Sequence, residues 1–343
     1  MVEKELYMRR ALELAQLGRG NVSPNPMVGC VIVHNDTIIG EGYHQVCGQA
    51  HAEVNAIASV KDKSLLPESE MFVTLEPCSH HGKTPPCADL IVKHKLKKVY
   101  VCNLDPNPLV AGKGIQRLES NGIIVETGML EEEGEDINAR FFVYMRKQRP
   151  YIILKWAQTE DGFIARANYD SKWISNSMSR KQVHKWRAEE DAILVGTNTA
   201  YYDNPQLNVR SWSGPNPTRV VLDGNLRLPQ EKLSLFDGDQ ATICYNFKES
   251  RQQDQLKLVK VSPNNWMEEM LADLREQKLQ SLIVEGGAML LKAFVEHKMW
   301  DEARIFIGKQ YFGDGIPAPV LSGARLADER QVAGDRRLIY KNG

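Results

Sequence analysis

MFVTLEPCSHHGKTPPCADLIVKHKLKKVYVCN, residues 71–103, decides how the first half of the chain folds. Residues 71–77 form an apolar run stopped by proline, which reads as a buried strand. Residues 88–95 read as a helix and 97–103 as the next strand. Strands alternating with helices predict a layered α/β sheet. Upstream, residues 28–33 and 37–44 are two further strands, with the turn signal Asn35-Asp36 between them. Residues 52–60 read as a helix. Met8, Ala11, Leu12 and Ala15 fall at i, i+3, i+4 and i+7 of an opening helix that Gly18 and Gly20 end. Downstream, residues 114–122 read as a helix and 123–128 as a strand. The charged residues 131–136 and FFVYMRKQRP after them read as a helix running into a linker. Pro150 is the punctuation, so a domain boundary is expected near residues 147–150. The strand pattern then restarts with YIILKWAQ and returns at 192–196, 218–224, 241–245, 282–287 and 302–308, with helical patterns between several of these. No internal repeat relates the two halves.

The chain has 343 residues, which suggests about two domains of roughly 100–200 residues each. With 43 Lys and Arg against 44 Asp and Glu, the net charge is −1. That balance removes the usual electrostatic argument for a nucleic-acid binder. No apolar run approaches the roughly 20 residues of a membrane span. The charged N-terminal stretch lacks the apolar core of a signal peptide, so a cytoplasmic protein is expected. Six cysteines are too sparse for a disulfide scaffold, and clustered ones read first as metal ligands or catalytic groups.

The strongest chemical signal is His51-Ala52-Glu53 followed by Pro77-Cys78 and Cys87. One imidazole and two thiolates suit Zn²⁺, and three protein ligands leave the last tetrahedral position for water. Zinc brings the pKa of that water toward neutrality. Positions i and i+2 of a helix face different ways. His51 and Glu53 therefore approach one metal only in front of the helix N-terminus. Cys87 opens a helix after Pro85-Pro86, and the positive helix end is expected to lower its pKa. Glu53 is then a proton carrier and not a ligand. Cys47 is the nearby candidate for a fourth ligand, which would make the site structural. Cys30, Cys102 and Cys244 sit in apolar strands and read as core.

This is the H-x-E…P-C-x-x-C logic of zinc nucleobase deaminases, except that eight residues, SHHGKTPP, separate the cysteines. EPCSHHGKTPPC, with SPNPMVGCVIV upstream, closely resembles the deaminase half of the bifunctional riboflavin-biosynthesis deaminase/reductases. The resemblance implies a cytidine-deaminase-like mixed-sheet domain over residues 1–147. It also implies a substrate, 2,5-diamino-6-ribosylamino-4(3H)-pyrimidinone 5′-phosphate, which loses its 2-amino group to water. On that basis Asn25 and His44 are expected at the pyrimidine, and His80 and Lys83 at the ribose phosphate.

In the second half, LIVEGGAMLLKAF is a strand, then Glu285-Gly286-Gly287, then a helix. Glycines before a helix N-terminus suit a cofactor phosphate. The run is not G-x-G-x-x-G and has no acidic residue at the dinucleotide-fold spacing, which disfavours a standard Rossmann site. LKWAQTEDGFIA, DSKWIS and HKWRAEEDAILVGTNTAYYDNPQLNVR resemble the reductase half of the same family. The resemblance implies a dihydrofolate-reductase-like α/β domain over residues 150–343 that uses NADPH to reduce the ribosyl group to a ribityl chain. By position in those motifs, Ser171, Arg187, Leu207, Arg210 and Glu285 are expected substrate contacts, with Lys155 near the ribose or nicotinamide. Ala157, Trp173, Thr199 and Asp203 are expected at the cofactor, with Gly287, Ala288, Met289, Leu290, Leu291, Lys292 and Ala293. Two arginines make physical sense beside an anionic sugar phosphate. Family members are commonly oligomeric, so a dimer or tetramer is expected. The partners are the small-molecule substrate and the cofactor, with neither nucleic acid nor membrane.

Overall fold

The computed structural model describes residues 2–79, 85–107, 111–171 and 174–343. It divides into two compact units, 1–148 and 149–343. No described helix is long and apolar enough to cross a membrane.

The first unit runs α1 (Val2–Gln16), β1 (Gly29–His34), β2 (Thr37–Tyr43), α2 (Ala52–Ser59), β3 (Glu70–Leu75), α3 (Cys87–Lys93), β4 (Lys98–Asn103), α4 (Lys113–Glu119), β5 (Ile124–Thr127), α5 (Glu131–Ile137) and α6 (Ala139–Arg146). Its five strands lie in the order β2-β1-β3-β4-β5. β1 is antiparallel to β2 and β3, and β3, β4 and β5 are parallel. The hairpin turn holds because Asn35 and Asp36 both take positive φ, 47° and 58°, which these side chains tolerate. β1 is buried on both faces. Val31 and Val33 pack with Met8, Ala11 and Leu12 of α1, and Cys30 and Ile32 with Ala52, Ala56 and Ile57 of α2. Two glycines permit this close layering. A Cβ at Gly29 would meet Ala11 O at 1.9 Å, and one at Gly42 would meet Ala56 N at 2.3 Å.

The helix expected to run into the linker is two helices, α5 and α6, that share Asn138. The Asn138 side chain is buried and exchanges two 2.8 Å hydrogen bonds with the backbone of Met27. This fixes the SPNP turn to α6.

The second unit runs β6 (Tyr151–Gln158), β7 (Phe163–Ala165), α7 (Ser177–Glu189), β8 (Ala192–Gly196), α8 (Thr197–Asp203), β9 (Thr218–Leu222), β10 (Thr242–Asn246), β11 (Arg251–Gln253), β12 (Leu256–Lys260), α9 (Trp266–Glu276), β13 (Ser281–Val284), α10 (Ala288–Glu296), β14 (Glu302–Ile307), β15 (Ile316–Pro317), β16 (Arg325–Val332) and β17 (Asp335–Lys341). The main sheet has the order β11-β12-β10-β9-β8-β13-β6-β14-β17-β16. From β12 to β14 its strands are parallel, and antiparallel strands close both edges. β6, β8 and β13 carry continuous apolar runs because parallel strands are covered on both faces. α9 and α10 bury Met267, Met270, Leu271, Leu290, Leu291 and Phe294 against Ile152, Leu154, Leu194, Leu282 and Val284. β7 and β15 pair as a separate ribbon.

Candidate active sites

His51 is the N-cap of α2 and Glu53 lies in its first turn, so both sit at the helix mouth. Cys78 follows the proline that ends the β3 segment, and Cys87 opens α3. The donor atoms of His51, Cys78 and Cys87 lie within 4.8 Å of one another. Cys78 Sγ is 3.6 Å and Cys87 Sγ 3.3 Å from His51 Nδ1. A tetrahedral zinc ion with bonds of about 2.3 Å to sulfur and about 2.05 Å to nitrogen sets its S···N edges near about 3.5 Å. The donor set and its spacing therefore fit zinc. Cys47 is exposed and stands outside this cluster, so the described residues offer it three ligands and no fourth. Cys30, Cys102 and Cys244 are buried in their strands.

The helix-end effect falls on the other thiol. The first backbone N–H of α3, on Cys87, donates to Cys78 Sγ at 3.3 Å. A hydrogen bond from the Cys87 thiol, with help from His51, outweighs burial and holds Cys78 down to about 4. The same thiol–thiol bond, reinforced by burial, pushes Cys87 up. The expectation that the helix end would lower the Cys87 thiol is corrected accordingly: its dipole is aimed at Cys78. Burial pushes the Glu53 carboxyl up to about 7. A dication beside it acts in the opposite direction.

Asn25 and His44 stand next to this cluster. His44 is buried, and its ring packs edge-on against His51 with centroids 5.5 Å apart. His44 Nδ1 lies 3.1 Å from Ala50 O, so it carries the proton and donates it. His44 Nε2 must then accept, and Asn25 Nδ2 donates to it at 3.1 Å. This chain fixes both the imidazole tautomer and the amide orientation. His80 and Lys83 lie outside the described residues.

Two positioning residues escaped the sequence reading. Asn138 anchors Met27 and hence the turn that carries Asn25. Glu76, buried two residues before Cys78, accepts N–H bonds from Gly112 at 3.0 Å and Gly114 at 2.9 Å. It thereby ties the start of α4 to the strand end that carries Cys78. Their partners are distant in sequence, so no local motif announces them.

In the second unit a cavity of about 1030 Å³ opens at the C-terminal ends of the parallel strands. This is where open α/β sheets bind ligands. At the β6–β13 end Glu285 is sandwiched between cations. Arg187 donates to it from Nε at 3.1 Å and Nη2 at 2.9 Å, and Lys155 Nζ lies 3.7 Å away. Burial alone would raise the Glu285 carboxyl, but Arg187 and Lys155 outweigh it and hold the group at about 2. Burial lowers the Lys155 ammonium, and Glu285 restrains that shift. Arg210 hydrogen-bonds Asn208 Oδ1 at 3.1 Å. His184, also absent from the sequence reading, donates from Nδ1 to Asn208 O at 3.0 Å and lines the cavity. Burial, with Arg187 and Arg210 nearby, pushes it down to about 4, so it is neutral at physiological pH.

Ser171, Leu207, Ala157, Thr199 and Asp203 line the same cavity, as do Gly287, Ala288, Met289, Leu290, Leu291 and Ala293. Lys292 does not. It lies on the outer side of α10, 70% exposed, and pairs with Glu296 at 3.6 Å. Of the expected run 287–293, Lys292 is thus the one residue outside this lining, since one helix face cannot serve every residue. Trp173 lies outside the described residues. Gly287 is the N-cap of α10 with no side-chain cap, which leaves the first N–H groups of that helix for a ligand. A Cβ on Gly287 would meet Thr199 Oγ1 at 3.1 Å, so a larger residue there would crowd the Thr199 side chain at the helix mouth. The site fits a nucleotide cofactor.

Residues 1–103 match the family described as the cytidine and deoxycytidylate deaminase zinc-binding region, and residues 150–330 match the RibD C-terminal domain. The chain is 40% identical to the riboflavin biosynthesis protein RibD of Aquifex aeolicus over 315 residues, covering 90% of this chain and 88% of that protein. It is 40% identical to RibD of Bacillus amyloliquefaciens over 338 residues, covering 96% and 91%. The crystal structure of a diaminohydroxyphosphoribosylaminopyrimidine deaminase/5-amino-6-(5-phosphoribosylamino)uracil reductase from Thermotoga maritima superposes with a TM-score of 0.92 at 36% identity, over 100% of this chain and 99% of that one. The first unit is thus cytidine-deaminase-like and the second dihydrofolate-reductase-like. With both family regions present and relatives matched along nearly their whole length, this chain belongs to the RibD family, the bifunctional deaminase/reductases of riboflavin biosynthesis.

Proposed function

We propose that residues 1–147 deaminate 2,5-diamino-6-ribosylamino-4(3H)-pyrimidinone 5′-phosphate and that residues 150–343 reduce the product to 5-amino-6-ribitylaminouracil 5′-phosphate. The observation that carries this reading is the convergence of His51, Cys78 and Cys87 with the Glu53 carboxyl at one helix mouth. His51, Cys78 and Cys87 hold zinc, which when bound supplies a water of near-neutral pKa. Glu53 takes one proton from the attacking water and gives it to the ring nitrogen, then carries the second from the new C2 hydroxyl to the leaving amine. The new bond is C2–O, the broken one C2–N, and ammonia leaves. Asn25 gives one Nδ2 proton to His44, and its Oδ1 is left to accept an N–H of the pyrimidine.

NADPH, when bound, supplies a hydride to C1′ of the ring-opened ribosyl imine. The π pair moves to nitrogen, which takes a proton, and the Lys155 ammonium beside Glu285 is the donor. Arg187 and Arg210 bind the anionic end of the substrate, with Ser171 and Leu207 beside it. The first turn of α10, with Ala157, Thr199 and Asp203, holds the cofactor. The same reading puts the enzyme in the cytoplasm as a homo-oligomer.

A two-stage assay tests the order of the steps. The diamino substrate should release ammonia without NADPH, and NADPH oxidation should begin only after that release. Oxidation of NADPH with no prior ammonia would reverse the order and overturn this assignment.

A further inference from the structure

The Glu285 end of the reductase cavity carries mostly donors. Arg187 and Arg210 offer only N–H groups, and Lys155 only its ammonium. The Glu285 carboxylate is already taken by Arg187 and Lys155. A sugar phosphate brings hydroxyls as well as phosphate oxygens, and a hydroxyl proton that becomes buried needs an acceptor. His184 supplies one. It lies one turn before Arg187 on α7, 5% exposed, and lines the cavity.

The fold presets its tautomer. His184 Nδ1 lies 3.0 Å from Asn208 O, where a protonated nitrogen is attracted and a bare one repelled. The Arg210 N–H is 3.5 Å from the same nitrogen, too far to compete. The Asn208 carbonyl is itself held from both sides. Arg219, buried and paired with Asp237, donates from Nε to Gln206 O at 2.9 Å. Val209 N–H donates to Asn216 Oδ1 at 2.8 Å. Nδ1 therefore keeps its proton, and burial, with Arg187 and Arg210 nearby, keeps the ring from taking a second. Nε2 is left as an acceptor. It has no partner among the described residues and is not enclosed by packing, so its lone pair opens on the cavity.

The neighbours decide which hydroxyl it meets. Arg187 Nη1 donates to the same Asn208 O at 3.3 Å, so the imidazole and a phosphate-binding guanidinium share one carbonyl. A hydroxyl beside the phosphate is in reach, and in the ring-opened imine that hydroxyl is on C4′. It exists only in the open chain. When the C1′–O4′ bond breaks and C1′=N forms, the proton leaves nitrogen and O4′ becomes the C4′ hydroxyl. In the closed furanose the same oxygen has no proton to give.

We propose that His184 Nε2 accepts a hydrogen bond from the C4′ hydroxyl, a contact that only the ring-opened form of the substrate can make. The inference rests on the reduction assigned above. The product, 5-amino-6-ribitylaminouracil 5′-phosphate, is permanently open. Calorimetry on the full-length protein with this product and with its 4′-deoxy analogue isolates the contact. The parent should bind the product about 3- to 10-fold more tightly than the analogue, the range for one neutral hydrogen bond. His184→Asn keeps an N–H near the Nδ1 position and has no atom at that of Nε2. It should bind both compounds alike, at the affinity of the analogue. His184→Gln, whose amide oxygen reaches the Nε2 position, should restore part of the difference. A merely structural role for His184 would weaken both compounds equally and leave their ratio at the parent value, which overturns the proposal, as does a parent ratio near one. A parent protein that binds neither compound overturns the reduction assigned above, and this inference with it.

Discussion

Glu53→Gln is expected to lower deamination by about 1000-fold, within the range for losing a positioned general acid–base group. It should retain one zinc per chain and full reductase activity. Glu53 is buried and sits one helical residue past His51's neighbour, in the first turn of α2. Glutamine fills the same volume and keeps the packing. What it lacks is a site that can accept a proton from water and give it up again. The three ligand donors are drawn from other residues, so metal analysis of the purified variant separates the roles. Loss of zinc together with activity would mean that Glu53 is a ligand, and the proton-carrier assignment would fall.

Glu285→Gln is expected to cut reduction of the deaminated substrate by about 100- to 1000-fold, the scale of removing one preorganised electrostatic group. Deamination, measured on the same preparation, should not change. The carboxylate accepts two N–H bonds from Arg187 and faces the Lys155 ammonium. An amide leaves one of those guanidinium donors opposed by its own NH₂. It also removes the charge that opposes the lowering of buried Lys155, so the proposed proton donor loses its counter-charge and its orientation. Glu285→Ala should in addition destabilise the second unit by about 3–5 kcal/mol, because it leaves buried cations unpaired. A Glu285→Gln enzyme that reduces its substrate within threefold of the parent rate would remove Glu285 from the mechanism.

The metal cluster was legible because its ligands come from short contiguous pieces: one helix start and the loop between β3 and α3. A pattern of residue types in order was enough to find it. The electrostatics within the cluster were not legible. Which thiol receives the first N–H of α3 depends on how the loop from Cys78 returns to the helix, and the spacing of the cysteines does not say. Glu76 and Asn138 were missed for a related reason. Asn138 bonds to Met27, 111 residues away, and Glu76 to Gly114, 38 residues on. Each looks locally like an ordinary polar residue.

The parallel strands of the second unit announced themselves as apolar runs. The hairpin of β16 and β17 did not. β16 carries Arg325, Asp328, Glu329 and Arg330 and is mostly exposed, so it lacks the apolar alternation that marks a half-buried strand. Charges of this kind suit the outermost strand of a sheet, where they discourage edge-to-edge pairing. His184 was passed over because its partner is a backbone carbonyl, that of Asn208, which no residue pattern reveals. Lys292 was included because motif position assigns whole segments, whereas a helix turns alternate residues away from any one ligand.

Removal and return of zinc tests the central claim most directly, that one chain carries a zinc-dependent deaminase and a reductase on separate residue sets. The chelated protein should release no ammonia from the diaminopyrimidine substrate, yet oxidise NADPH at the parent rate when given the deaminated compound. One equivalent of zinc per chain should restore ammonia release. Ammonia release that persists without metal, or reduction that fails with it, would contradict the account.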